Sequence, residues 1–72
     1  MVDDLHDAEP EVRFWSAFSL GQLRARQARG ALAALVDDDT RLPGWWSVGD
    51  EAADALMLIA GREPPDRGGL RI

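Results

Sequence analysis

The chain is 72 residues long, with no cysteine, lysine or tyrosine and a net charge of −5. That length allows one small domain whose core contributes on the order of 3–5 kcal/mol net, with no disulfide or thiolate–metal site to reinforce it. The acidic balance argues against non-specific nucleic-acid binding and against an anionic membrane surface, since both need a basic face.

The start, Met1-Val2-Asp3-Asp4, lacks the basic and apolar regions of a secretory signal. The longest apolar run, Ala55 to Ala60, is too short to span a bilayer. The chain therefore reads as soluble and cytoplasmic. Residues Met1 to Glu9 are acidic and without clear period, and read as a fraying end followed by a loop. A first helix is expected over 10–23. Pro10 suits its first turn, where a missing N–H costs nothing. Glu9 and Glu11 place negative charge at the positive end of the helix dipole. Val12, Trp15, Ser16, Ser19, Leu20 and Leu23 share one side of it, and Phe14, Ala17, Phe18 and Gly21 the other. A helix that is apolar nearly all round is a buried helix. Ser16, Ser19 and Gly21 are small enough to let another helix come close.

Arg24-Ala25-Arg26-Gln27 forms a polar connection. A second helix is expected over 27–36, with Ala28, Ala31, Leu32, Leu35 and Val36 along one stripe; Gly30 weakens it by about 1 kcal/mol relative to Ala. Asp37 to Gly44 is a linker. Ser47-Val48-Gly49-Asp50 has the form of a capping box and cues a third helix over 47–60. Val48, Ala52, Ala55, Leu56 and Ile59 give it one core face, while Asp50, Glu51 and Asp54 cover much of the rest. Gly61 is placed as its C-cap. Residues 62–72 carry no apolar period and read as a flexible C-terminal tail, outside a folded domain of residues 1–61.

The chain says the same thing twice. Val2-Asp3-Asp4, then Val12, Ala17, Leu20 and Leu23, return as Val36-Asp37-Asp38, then Val48, Ala53, Leu56 and Ile59. The offset is 34 residues at the acidic element and 36 along the helices, a difference that a two-residue insertion in the second linker accounts for. Periods of this size mark helical solenoids, in which a helix pair is the repeating unit.

These residues carry a family likeness. Asp7-Ala8-Glu9-Pro10-Glu11-Val12-Arg13, then Ala17, Leu20-Gly21 and Leu23, resembles the second helix of a HEAT-like repeat. More narrowly, it resembles the short bacterial repeats also found in phycobilisome lyase proteins. Ala28 to Val36 is similar to the first helix of the next repeat, and Asp37-Asp38 to its acidic end. Val48, Ala52-Ala53, Leu56 and Ile59 are similar to its second helix. The likeness spans about residues 2 to 61. It implies an all-α fold: three helices arranged as antiparallel helical hairpins of an α-solenoid. It also implies a non-catalytic protein–protein interaction or scaffold module. Two departures matter. Arg41 to Trp46 lengthens the family's short linker and adds two tryptophans. About one and a half units are present, where about three are usually needed for stability. A fragment of a longer repeat protein is therefore expected, or a chain covered by a protein partner, by further repeats or as a homo-oligomer. The alternatives are an accessory subunit of a lyase-like enzyme system and a small self-associating helical domain.

No catalytic, cofactor or metal site is expected. His6 among Asp3, Asp4 and Asp7 matches no ligand spacing, and Asp37-Asp38-Asp39 lacks the alternation, glycine and terminal glutamate of a calcium loop. Ser16, Ser19 and Ser47 have no neighbouring base, and Asp50 and Asp54 have no pocket to separate their pKa values. In the family, the residue matching Arg13 bridges to acidic groups of the adjoining repeat. This implies a structural contact to Asp37, Asp38 or Asp39. The candidate interaction surface is aromatic: Phe14, Phe18, Trp45 and Trp46, with Phe14 and Phe18 exposed or covered by a partner, because tryptophan and exposed aromatic patches are favoured at interfaces. The alternative is that Trp45 and Trp46 both fold over the open end of the small core, since small domains are short of apolar cover.

Overall fold

Pro10 opens the first helix, α1 (Pro10–Gln22), at the position where an imino nitrogen costs nothing. Glu9 before it is extended and makes no side-chain cap; its carbonyl instead takes the N–H groups of Val12 and Arg13. The structure, a computed structural model, describes residues 2–65. Within them the chain is all-α, as expected. A 3-10 turn (Val2–His6) comes first, and a second (Arg26–Ala28) leads into α2 (Arg29–Leu35). The last helix is α3 (Val48–Ile59). Among the described residues no helix is long and apolar enough to cross a membrane.

The ends of α1 and α3 are built alike. Ala25 N–H reaches the Leu20 carbonyl and Arg24 N–H the Gly21 carbonyl, as Arg62 N–H reaches Met57 and Gly61 N–H reaches Leu58. This paired pattern closes a helix with one residue in the left-handed region. Gly61 fills that place in α3 with φ +79°, and Arg24 fills it in α1 with φ 51°. At the start of α3 the expected capping box is formed: Ser47 Oγ accepts from Asp50 N–H at 3.0 Å, and Asp50 Oδ2 accepts from Ser47 N–H at 3.4 Å.

Helix α3 is central, with α1 and α2 both packed against it. Phe14, one turn into α1, shares a cluster with Val48 at the start of α3. Further along, Gly21 lies against Ala55, so the two helices run parallel. A Cβ on Gly21 would stand 2.7 Å from the Ala55 Cα, closer than any side chain tolerates, and glycine is required for this approach. The Val36 carbonyl, just beyond the C-terminal end of α2, lies over Gly49 at the start of α3, so α2 runs back against α3. Gly49 also donates its N–H to the Asp38 carbonyl at 2.7 Å.

Two apolar clusters result. The larger joins Leu5, Ala17, Leu20, Ala28, Leu32, Ala52, Ala55 and Ile59 across all three helices. The smaller joins Phe14, Leu42, Trp46 and Val48, and Leu35 touches both. The opening residues differ from the expected fraying end and loop. Leu5 is fully buried, and the 3-10 turn packs on α1 and α2, because one apolar side chain suffices to anchor a single turn. Of the expected tail, residues 66–72 lie outside the described residues.

Candidate interaction surface

The linker between α2 and α3 is an ordered loop. Asp38 Oδ1 accepts from Thr40 N–H at 3.0 Å, and Leu42-Pro43-Gly44-Trp45 closes a turn through Trp45 N–H to the Leu42 carbonyl. Pro43 and Gly44, the latter at φ +80°, are the residues such a turn selects. An antiparallel bridge joins Arg41 to Ser47, and Val48 N–H returns to the Thr40 carbonyl. The loop thereby lays Leu42 and Trp46 over Phe14.

That arrangement corrects the expected aromatic surface at Phe14 and, at Trp46, agrees with the alternative in which a tryptophan closes the core. Phe14 is 0% exposed, covered by its own chain: the Trp15, Trp45 and Trp46 rings lie 4.9, 5.9 and 6.1 Å from its ring. No outside cover is needed, because the lengthened linker supplies one. Trp46 is buried too, and its indole N–H donates to Glu51 Oε1 at 2.7 Å. Trp45 and Phe18 remain half-buried. Trp15, which the aromatic surface inferred from sequence omitted, is the most exposed ring at 38%. It stacks edge-on against Trp45 at 5.0 Å and Phe18 at 5.6 Å. Such edge-to-face pairs hold an exposed indole in one orientation. The signal for Trp15 was its place with Val12, Ser16 and Ser19, opposite Phe14 and Gly21. Beside it, the outer face of α1 forms a shallow groove of about 400 Å³ lined by Asp4, Glu11, Val12, Trp15, Ser16 and Ser19.

Arg13 ties three segments together. Its Nε donates to Asp38 Oδ2 at 3.0 Å, and one terminal nitrogen donates to the Asp7 and Ala8 carbonyls at 2.8 and 3.1 Å. Of the three aspartates named from sequence, Asp38 is therefore the one in contact. Burial pushes the Asp38 carboxyl up, but hydrogen bonds from Thr40 and the Arg13 guanidinium outweigh it and hold the group below its ordinary value.

Glu51 and Asp54 depart from the expected solvated face, since both are buried. For Glu51 the reason is Trp46, folded onto that side of α3. Both residues have partners beyond the Trp46 contact, so neither stands alone. Among the described residues no three His, Asp or Glu side chains gather as a metal site; His6 is exposed. The geometry offers apolar and aromatic surface with acids at its rim. No protein-family profile, curated protein or solved structure matches the chain.

Proposed function

We propose that the chain is a non-catalytic protein–protein interaction or scaffold module built from HEAT-like units, with its contact surface on the outer side of α1 around Trp15. One observation carries this reading. The helices α1 and α3 lie side by side and parallel, with Gly21 against Ala55, a separation of 34 residues. Parallel stacking of like helices at a period of this size is how solenoid units build extended binding surfaces. An indole held rigid at 38% exposure suits a binding anchor, because little rotamer freedom is lost when it is covered.

The test is affinity capture from lysate with the immobilised chain, compared with a Trp15→Glu variant whose melting curve matches the parent. A discrete protein retained by the parent and lost with Trp15→Glu is expected. Equal capture by both, or none by either, would sink the reading.

A further inference from the structure

We propose that the groove on the outer face of α1 seats an amphipathic helix of a protein partner that resembles α1 itself, with an arginine near its start pairing with Asp4. The proposal rests on the interaction-module reading above and names its partner's chemistry.

The internal repeat supplies the template. At the 36-residue offset, Val12, Ser16, Ser19 and Leu23 on α1 correspond to Val48, Ala52, Ala55 and Ile59 on α3. All four α3 residues are buried, and this stripe is the one α1 packs on. Both stripes have a large apolar residue at each end and two small residues between, which lets a helix backbone approach. On α1 three of the four are accessible: Leu23 is 68% exposed, and Val12 and Ser19 are half-buried, with Ser16 buried between them.

Charge extends the correspondence. At the 34-residue offset Asp4 is the counterpart of Asp38, which receives the Arg13 guanidinium at 3.0 Å. Asp4 is exposed and lines the groove, with Glu11 beside it. Ser16 also lines the groove and is only 8% exposed, so the floor beside Val12 and Ser19 is tightly packed. An acidic rim over an apolar floor selects a helix with a cation in its first turn.

A second copy of the chain fits less well. Its nearest equivalent surface is the outer side of α3, where Ala53, Leu56 and Met57 correspond to Ala17, Leu20 and Gly21. The position matching Arg13 is there Gly49, which brings no cation and lies beneath the Val36 and Asp38 carbonyls. Met57 stands where the close approach needs glycine.

The probe is a synthetic peptide with the sequence of residues 7–25, titrated into the isotope-labelled full chain and followed by NMR and calorimetry. One-to-one binding is expected, with a Kd on the order of 10–100 µM because the peptide must fold on binding. Shifts should centre on Asp4, Val12, Trp15, Ser16 and Ser19. Arg13→Ala in the peptide should weaken binding by about three- to fivefold, the value of one exposed ion pair. Asp4→Ala in the protein should do the same, and Ser19→Arg should abolish binding with the melting curve retained. Several results would overturn the proposal: no binding, binding indifferent to these changes, or shifts at Ala17 and Ala55, which would mean the peptide replaces α1. A Ser19-dependent dimer that leaves peptide binding unaffected would also overturn it, in favour of a second copy. If the peptide fails while Trp15-dependent capture persists, only the partner's chemistry is wrong; if both fail, the interaction-module reading falls too.

Discussion

Arg13 and Asp38 are each about four-fifths covered and hold the N-terminal turn, α1 and the linker in one place. Truncating Arg13 leaves two carbonyls and a carboxylate short of a donor, and truncating Asp38 leaves the guanidinium and the Thr40 N–H short of an acceptor; either costs more than a surface ion pair is worth. Arg13→Ala should destabilise the fold by about 1–2 kcal/mol in urea titrations; a change within about 0.3 kcal/mol would mean the pair is decorative. The pH dependence follows from the lowered carboxyl of Asp38. A carboxylate with a depressed folded pKa stabilises fully above its unfolded value, and that stabilisation is lost as pH falls through the folded one. The stability gap between the parent and Asp38→Asn should therefore stay constant from neutral pH to about 5 and close below about 4. A gap that widens in acid would contradict the assigned direction. Trp46 makes the same kind of argument in the core. Trp46→Phe keeps an aromatic ring but removes the donor to buried Glu51, at a cost of about 1–3 kcal/mol. Trp45→Phe, with no such bond among the described contacts, should cost clearly less in the same titration.

The twin terminations of α1 and α3 differ in one respect that can be measured. Both use a left-handed residue, but α1 places Arg24 there and α3 places Gly61. A side chain at positive φ costs about 1–2 kcal/mol relative to glycine. Arg24→Gly should stabilise by about 1 kcal/mol, less a little for the greater freedom of the unfolded chain, and Gly61→Ala should destabilise by a similar amount. Equal effects of the same sign would break the assignment. The asymmetry also shows which element boundaries were legible. Pro10, the Ser47–Asp50 box and Gly61 each have a local chemical reason to stand where they do, and the helix ends they mark fall within a residue or two of expectation. Arg24 has none: its left-handed turn goes with Ala25 folding back onto the cluster that holds Leu20, a contact between residues too far apart in pattern to be read locally. The opening 3-10 turn was equally hidden, because one leucine among acids has no period. The aromatic site was half legible. On a helix apolar on every side, nothing local decides which stripe faces inward. That choice came from Gly21 meeting Ala55, and from a linker whose turn folds Trp46 onto Phe14.

At the scale of the whole molecule, the question is whether the two apolar clusters are one core or two. The three tryptophans all belong to the end where Phe14 meets Val48, whereas Leu5, Ala28, Leu32 and Ile59 belong to the other cluster. Two features join them. Helix α3 contributes to both through Val48 and Ile59, and Leu35 packs against both. A chain of this size has only on the order of 3–5 kcal/mol to spare, too little to hold either cluster once the other has melted. Indole fluorescence and far-ultraviolet circular dichroism should therefore report coincident urea transitions, since coincident probes are the signature of a single cooperative unit. The competing outcome is specific. If the linker loop were a separate lid, fluorescence would shift at lower urea while the helical signal held. The Thr40–Val48 and Asp38–Gly49 hydrogen bonds would then open without α3 unfolding. The buried position of Gly49 argues against that separation, because it locks the linker backbone to the first turn of α3. Gly49→Ala would press a methyl group against the Val36 and Asp38 carbonyls, and it should shift both transitions together rather than fluorescence alone.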